Sequence, residues 1–247
     1  MTQSSVDAWV DVLLAARETA HRYDVAISKP AHLEDVYRIQ SGVAARVGAV
    51  GGFKTARRGD AAPIMAPIFH EQIAASGAQL AVKDLLGIEL EVGFEILRDC
   101  PADVASLPAA ELVSILRPVA VIELVDTRIR GPLVDDPFIK LADNQINAGL
   151  VVGAAAQDWS GADFGTVQAT MRAGADVLLD GETTVPGGSA LETFAALAGA
   201  IGAHCGGLKP GQIVITGSLH PLVYYPAGTQ VSGWIAGIGA VSLTLGA

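Results

Sequence analysis

Three glutamates lie in two apolar segments of the chain. Glu89 and Glu91 belong to segment 87–97, and Glu123 belongs to segment 118–126. The alternation of apolar and acidic residues in the first segment predicts a β-strand, so Glu89 and Glu91 should project from the same face. Carboxylates held side by side repel one another unless a proton or a cation lies between them. We therefore interpret the three glutamates as oxygen ligands of one hard divalent metal ion.

Several polar residues near these segments have two interpretations. The acidic pair alone is also typical of a solvent-facing stripe on a strand, and the third glutamate is what favours a metal site. Asp126 and Arg128 form either a structural ion pair or an outer shell that orients a metal ligand. Asp143 and Asn144 are either turn residues or contacts of a ligand. These alternatives stay open at the level of the sequence.

Serine, histidine and cysteine residues do not suggest a nucleophilic centre. Ser218 and His220 lack the strand-turn-helix setting of a nucleophilic serine, and we interpret both as structural. Cys100 and Cys205 are the only cysteines, and we assign neither of them a role. The first residues lack the pattern of a secretion signal, so a reducing cytoplasm is the expected location.

Composition limits the class of protein. The chain has 247 residues, of which 51% are hydrophobic and 17% charged, with a formal net charge of −10. This length allows one domain with a large core. The negative charge argues against a nucleic acid or an anionic membrane as partner, and no apolar run predicts a membrane span. The Gly- and Ala-rich composition suggests a homo-oligomer.

The first third of the chain predicts two helices and a loop. Apolar residues recur at helical spacing after a Ser4-x-x-Asp7 pattern that resembles a capping box. A second helix is expected from Pro30 to Gly48, and the two helices form an N-terminal arm over residues 1–48. The polar segment 55–63 predicts a mobile loop.

The remainder, 49–247, predicts a β-rich body with a few short helices. We expect helices over 105–116, from Asp136, and from Ser189, the last two with these residues as N-caps. Alternating residues predict strands around 166–172, and Asp180-Gly181 suggests a hairpin turn. A turn at 209–211 should lead into the strands of the carboxyl end.

Six short motifs follow one another from about Leu33 to the carboxyl end. They are Leu33-Glu-Asp-Val-Tyr-Arg-Ile-Gln40, Gly52-Phe-Lys54, Glu89-Leu-Glu-Val-Gly-Phe94, Ile122-Glu-Leu-Val-Asp-Thr-Arg-Ile129, Ala142-Asp-Asn144 and Gly211-Gln-Ile-Val-Ile-Thr-Gly-Ser218. In this order and spacing, they resemble the motifs of the fumarylacetoacetate hydrolase superfamily, in its branch of 2-hydroxypenta-2,4-dienoate hydratases and 4-oxalocrotonate decarboxylases.

This resemblance implies an α+β fold, a mixed β-sheet roll behind the N-terminal helical arm. It also implies Mg²⁺ or Mn²⁺ as the ion on the three glutamates. The candidate catalytic residues are Lys54, Asp60, Asp126 and Arg128. The candidate substrate-binding residues are Asp143, Asn144, Gly217 and Ser218. Asp60 is a candidate because it is the one acid between Lys54 and the Pro67-Ile68 pair.

The implied reaction is that of a lyase in the catabolism of aromatic compounds. A 2-oxo acid chelates the cation, and charge on its oxo oxygen as an enolate forms is stabilised by the metal. The first expectation is water addition to a 2-hydroxy-2,4-dienoate, giving a 4-hydroxy-2-oxo acid. The alternatives are decarboxylation of a 4-oxalocrotonate-type acid, carbon–carbon hydrolysis of an acylpyruvate, and a catalytically silent scaffold subunit. Another enzyme of the same pathway is a candidate partner.

Overall fold

The computed structural model describes residues 1–59 and 61–246, without the side chains of Arg58 and Ala105. The α-helices are α1 (Gln3–Thr19), α2 (Leu33–Val47), α3 (Ala109–Ile115), α4 (Pro137–Ala142) and α5 (Ala190–Ala200). The strands are β1 (Tyr23–Asp24), β2 (Val50–Arg58), β3 (Ala61–Phe69), β4 (Ile73–Ala75), β5 (Ala78–Ala81), β6 (Leu85–Ile96), β7 (Leu116–Val125), β8 (Ile129–Arg130), β9 (Asn147–Ala155), β10 (Thr166–Ala173), β11 (Asp176–Thr184), β12 (Ile213–Ser218), β13 (Val223–Pro226), β14 (Gln230–Ile235) and β15 (Gly239–Gly246).

Two mixed sheets form the β-rich body. The larger sheet has the order β3-β2-β12-β6-β7-β9-β4, with β13 also paired to β6, and the smaller has the order β11-β10-β14-β15-β5. Most neighbours are antiparallel, whereas β12 and β2, β4 and β9, and β15 and β5 are parallel. This architecture confirms the predicted α+β fold with a mixed β-sheet roll.

The main core lies between the two sheets and under α5. Alternate residues of β6, such as Leu90 and Val92, point into it and meet Met171 of β10 and Phe194 of α5. The predicted alternation of β6 is therefore confirmed, because its other face carries the glutamates. Phe94 lies at the centre, with its ring 5.5 Å from that of Phe194.

Helices α1 and α2 pack on each other around a second core. Trp9 is fully buried there, and its indole N–H donates to the Ser28 carbonyl at 3.0 Å. The same core includes Phe69 of β3 and Ile139 of α4, so the helical pair is tied to the strands that carry the site. No helix within the described residues is long and apolar enough to cross a membrane.

The helix boundaries differ from the predictions at their amino ends. The side chain of Thr2, rather than Ser4, accepts the Ser5 N–H and caps α1. Helix α2 begins at Leu33 and not at Pro30, and it ends at Val47, with the expected Gly48 as its C-cap. Helix α3 begins at Ala109, after a separate 3₁₀ turn, and is shorter than the predicted 105–116.

The N-caps predicted for the other two helices are confirmed. Asp136 accepts the N–H groups of Phe138 and Ile139 at the start of α4. Ser189 accepts the N–H of Glu192 at 2.9 Å at the start of α5. Both caps follow from short-range chemistry, which the sequence contains.

The predicted mobile loop at 55–63 is wrong, because residues 55–58 continue β2 and residues 61–63 begin β3. The local sequence is polar, but residues 55–58 pair with β3, and the preceding residues 52–54 are fixed by their parallel pairing with β12. Arg57 is held by Glu192 and by the carbonyl of Gly187 at 2.6 Å. Segment 55–58 therefore forms one wall of the body.

The predicted turn at Asp180-Gly181 is also wrong. Strand β11 runs through both residues, and Gly181 pairs with Ala169 of β10. The chain instead reverses at Gly174, which has a φ of 57°. A left-handed glycine is what a tight connection of this kind requires.

We predict that Phe94→Ala lowers the free energy of unfolding by about 3–5 kcal/mol, the usual cost of deleting a buried aromatic ring. Urea unfolding followed by circular dichroism measures the effect. Val177→Ala, at a side chain that is 49% exposed, is the control and should change stability by less than about 0.5 kcal/mol. Equal effects of the two substitutions would contradict a core centred on Phe94.

Candidate active site

Strand pairing brings the three glutamates together. Glu89 of β6 lies directly opposite Glu123 of β7 in the antiparallel register, and Glu91 is the diagonal neighbour on the same face. One carboxylate oxygen from each lies within 4.8 Å of the others. Glu91 and Glu123 are buried, and Glu89 is partly exposed. The convergence predicted from the sequence is thus present.

Burial and mutual repulsion change the proton affinity of this glutamate cluster. Burial first, and then the charge of Glu123, raise the pKa of Glu89 to about 7. The same two causes, with the charge of Glu89 added, raise the pKa of Glu91 well above its ordinary value. A cation placed among the three carboxylates would remove this penalty.

Lys54 is the nearest cation to the cluster. Its Nζ lies 2.7 Å from Oε1 and 2.8 Å from Oε2 of Glu123, and 3.3 Å from the carbonyl oxygen of Gln145. Burial alone would lower the pKa of Lys54, but the charges of the three glutamates outweigh burial and raise it. Strand β2 fixes its position, because Lys54 pairs with Ile215 on one side and Ala66 on the other.

A bulge in β12 completes one side of the cluster. The Gly217 N–H donates to Oε2 of Glu91 at 2.6 Å, where the register between β12 and β6 shifts. Gly217 has a φ of 113°, and a Cβ there would lie 2.9 Å from Cβ of Pro186. The position therefore requires glycine. Ser218, the next residue, donates its hydroxyl to the His220 carbonyl at 2.6 Å.

Asn147 is a contact of the cluster that the sequence analysis missed. Its buried side-chain amide donates to Oε1 of Glu123 at 2.7 Å and to the Gly149 carbonyl at 3.3 Å. The residue opens β9, so the available signal was one amide at the start of an apolar strand. Its partner became visible only through the pairing of β9 with β7.

A left-handed turn precedes β9. Asn144, Gln145 and Ile146 have φ values of 52°, 52° and 55°. Such values are unusual for residues other than glycine, and for a β-branched isoleucine they mark strain. The turn is held by the Ile146 N–H on the Asp143 carbonyl at 2.8 Å and by the Asp126 N–H on the Ile146 carbonyl at 2.9 Å.

The glutamates and Lys54 open onto a cavity of about 200 Å³. Its walls come from the β2–β3 hairpin, the end of α4, the left-handed turn and the β12 bulge. The lining residues are Lys54, Thr55, Ala56, Ile64, Met65, Ala66, Glu89, Glu91, Leu141, Gln145, Gly217 and Ser218. Of the predicted site residues, the cavity therefore contains Lys54, two of the glutamates, Gly217 and Ser218.

The structural ion pair considered between Asp126 and Arg128 does not form. Asp126 pairs with Arg22 at 2.7 Å, at a partly exposed position. Arg128 instead donates through Nε to Asp143 at 2.6 Å, and its NH2 group donates to the carbonyls of Asp143 and Asn147. The pair between Arg128 and Asp143 is buried. This arrangement favours a structural role for Arg128, and a catalytic role for Asp126 or Arg128 stays a prediction.

Asp143 and Asn144 lie behind the cavity wall and not among the lining residues. The Asp143 carboxylate accepts a hydrogen bond from Arg128, and the Asn144 side chain donates to the Pro67 carbonyl at 3.2 Å. These contacts match the turn interpretation of the two residues rather than direct substrate contact. Asp60 falls outside the described residues, so its predicted role is unchanged.

The structural interpretation of His220 agrees with its contacts. Its Nε2 accepts the Leu90 N–H at 3.1 Å, and its Nδ1 lies 2.8 Å from the Pro221 carbonyl. Both ring nitrogens therefore have backbone partners, and burial lowers the pKa of the ring. The imidazole has no nitrogen left to activate the Ser218 hydroxyl.

Comparison with known proteins gives a sequence relative and solved structures of similar fold. No protein-family model matches the chain. A 2-keto-4-pentenoate hydratase from Burkholderia vietnamiensis is 28% identical over 185 residues, which cover 74% of this chain and 70% of that protein.

Solved structures share the fold. The 4-oxalocrotonate decarboxylase from Pseudomonas putida G7, complexed with magnesium and adipate, is 17% identical, with a TM-score of 0.78 over 99% of this chain and 98% of that one. The fumarylpyruvate hydrolase from Pseudomonas aeruginosa, complexed with Mn²⁺ and pyruvate, is 13% identical, with a TM-score of 0.57 over 78% of this chain and 88% of that one. The chain is thus similar in sequence to a 2-keto-4-pentenoate hydratase, and it shares the fold that its resemblance to the fumarylacetoacetate hydrolase superfamily implies.

Proposed function

We propose that this protein is a divalent-metal-dependent lyase that adds water to a small 2-hydroxy-2,4-dienoate and releases a 4-hydroxy-2-oxo acid. The observation that carries the proposal is the convergence of Glu89, Glu91 and Glu123 beside Lys54 at a small cavity. The hydratase and decarboxylase relatives support an activity of this kind.

The donor set fits a hard divalent cation such as Mg²⁺ or Mn²⁺. Three carboxylates supply anionic oxygens, and burial together with mutual repulsion raises the pKa of Glu89 and of Glu91, so the protein compensates these charges only in part. Asn147 and the Gly217 N–H hold two of the carboxylates in place, as outer contacts of metal ligands do. A bound cation would polarise the 2-oxo group of the substrate and offset negative charge on its oxygen.

Lys54 supplies the positive charge that the substrate needs at this end of the cavity. Its Nζ already contacts Glu123, so it lies beside the place where the substrate carboxylate would approach the cluster. An ammonium at this position holds the carboxylate and can pass a proton to a neighbouring atom. The cavity of about 200 Å³ limits the substrate to a small acid.

The cavity wall favours hydration over decarboxylation. A 4-oxalocrotonate-type substrate carries a second carboxylate, which would need a second cation. Lys54 is the one cation among the described side chains that line the cavity. Arg57, three residues further on, is engaged by Glu192 and the Gly187 carbonyl. Ile64, Met65 and Leu141 present an apolar surface instead.

The proposed reaction conserves all atoms. The dienol loses its hydroxyl proton and gains a proton at C5, which gives the 2-oxo-3-enoate. Water then adds across the C3–C4 bond, with its oxygen bonded to C4 and hydrogen to C3. The residues nearest the cluster have to orient the acid, exclude bulk water and move these protons.

Glu91→Gln should abolish metal binding and reduce turnover by at least about 100-fold, since one anionic ligand of a preorganised charge site is lost. Incubation with 2-hydroxypenta-2,4-dienoate, 4-oxalocrotonate or acetylpyruvate, with product identification by NMR, tests the reaction. Calorimetric titration with Mn²⁺ tests the site. Glu95→Gln is the matched control, because Glu95 lies on the same face of β6 and pairs with Arg117 outside the cluster.

The proposal is supported if the wild type hydrates 2-hydroxypenta-2,4-dienoate and Glu91→Gln does not. A wild type that binds no Mg²⁺ or Mn²⁺ at millimolar concentration would instead favour the scaffold interpretation. Release of carbon dioxide or cleavage of acetylpyruvate as the main reaction would replace hydration by decarboxylation or hydrolysis.

Lys54→Met should reduce kcat/KM by about 10²-fold or more, the usual contribution of a positioned proton donor, yet leave Mn²⁺ binding intact or tighter. The metal affinity should not fall, because the substitution removes a positive charge from the immediate surroundings of Glu123. Steady-state kinetics and Mn²⁺ titration measure the two effects. Lys83→Met, at an exposed lysine bonded to the Ala20 carbonyl, is the control. Unchanged turnover of Lys54→Met would exclude Lys54 as the residue that holds the substrate carboxylate or passes a proton.

The metal-free protein should have a higher Tm at pH 5 than at pH 8. The pKa of Glu89 is raised from 4.5 to about 7 in the folded protein, so the folded state binds more protons than the unfolded state between these values. Stability therefore falls as the pH rises through this window. Scanning calorimetry with EDTA measures the fall, and excess Mg²⁺ or Glu89→Gln should reduce it. The same pH dependence of Tm in the metal-free wild type and in Glu89→Gln would contradict the raised pKa of Glu89.

A further inference from the structure

We propose that Gln145 determines hydration specificity: its side-chain amide holds the attacking water, and then the new 4-hydroxyl group, in the cavity. This inference rests on the proposed hydratase function and names a residue for which the sequence motifs gave no role. It concerns the step that separates hydration from the other reactions of a 2-oxo acid at the same cation.

Gln145 has a side-chain amide that is available for hydrogen bonding, whereas several other polar side chains of the cavity are already hydrogen-bonded. Within the described residues, its side-chain amide has no protein partner, although the residue lines the cavity. The other lining residues with hydrogen-bonded side chains are Lys54 on Glu123, Thr55 on the Ile64 carbonyl, Glu91 on the Gly217 N–H and Ser218 on the His220 carbonyl. Gln145 is therefore available for a ligand.

The chemistry of an amide suits a bound water. Its oxygen accepts a hydrogen bond and its nitrogen donates two, whereas a lysine only donates and a carboxylate only accepts. An ordered water needs two to four polar partners. An amide is neutral at every pH of interest, so it can orient water beside the glutamates without adding to their repulsion. The amide can also accept a hydrogen bond from the product hydroxyl group or donate one to it.

The backbone around Gln145 is held in a fixed conformation at the cavity wall. Three successive left-handed residues, 144–146, place the Gln145 carbonyl on Lys54 Nζ at 3.3 Å while the residue lines the cavity. A strained turn persists only where the surrounding structure holds it, and such turns are concentrated at functional sites. Here the bonds of Ile146 to Asp143 and Asp126 hold it.

Water addition is the one step that should depend on this amide. Formation of the 2-oxo-3-enoate from the dienol needs only the removal of one proton and the delivery of another. In the next step the water oxygen bonds to C4 and hydrogen goes to C3. Loss of a group that orients water should therefore slow the second step and spare the first.

Gln145→Met keeps the length of the side chain and removes its hydrogen bonds. With 2-hydroxypenta-2,4-dienoate and Mg²⁺, time-resolved ¹H NMR follows both the 2-oxo-3-enoate and the 4-hydroxy-2-oxo acid. We expect water addition to fall on the order of 10-fold, as for one lost hydrogen bond, with transient accumulation of the enoate and little change in its rate of formation. Gln145→Asn, which keeps the amide and tolerates the left-handed backbone, should partly restore hydration.

Gln168→Met on β10, at an exposed position of the smaller sheet, is the matched control and should behave as the wild type. Wild-type hydration by Gln145→Met overturns the inference, and so does an equal loss of both steps, which would mark a structural role. Both results leave the proposed function standing. A wild type that forms neither product overturns the proposed function itself and this inference with it.

Discussion

Mutual repulsion of three carboxylates is the constraint on which the rest of the site depends. Strand register forces Glu89 and Glu123 to face each other across β6 and β7, and Glu91 is added on the same face inside a buried environment. At short range in a low dielectric this repulsion is large. The protein offsets part of it with Lys54, the Gly217 N–H and the Asn147 amide. The repulsion that remains favours binding of a cation among the three carboxylates.

Precision comes from placing these groups on paired strands at the centre of the larger sheet. Each of β2, β12, β6 and β7 is bonded on both sides, so the side chains they carry have little freedom relative to one another. Two irregular elements lie at the site itself: a bulge at Gly217 and a left-handed turn at 144–146. Each directs a backbone group, the Gly217 N–H onto Glu91 and the Gln145 carbonyl onto Lys54. The paired strands thus make the site rigid, and the two irregular segments orient individual backbone groups toward Glu91 and Lys54.

A cation on three glutamates can support several reactions of 2-oxo acids, so the cluster alone does not select among them. Selection falls to the walls of the cavity, which differ in charge and in hydrogen-bonding capacity. In the proposed reaction, the apolar surface of Ile64, Met65 and Leu141 disfavours a second carboxylate, and the proposed role of the Gln145 amide is to hold water. The arginine that sequence motifs placed near the chemistry, Arg128, instead connects the segment after β7 to the turn before β9.

The sequence by itself determined what depends on near neighbours along the chain. The alternation in β6, the shared face of Glu89 and Glu91, and the caps at Asp136 and Ser189 follow from periodicity and short-range hydrogen bonds. The family motifs added the fold and the expected role of Lys54. Only the tertiary structure decided that Lys54 lies on a strand and not before a loop, that Arg128 pairs with Asp143, and that Asn147 reaches Glu123. The last two contacts join residues 15 and 24 positions apart, and the strand pairing of Lys54 joins it to Ile215. Such contacts depend on how distant segments pack together, and a local pattern contains no information on which strand lies alongside.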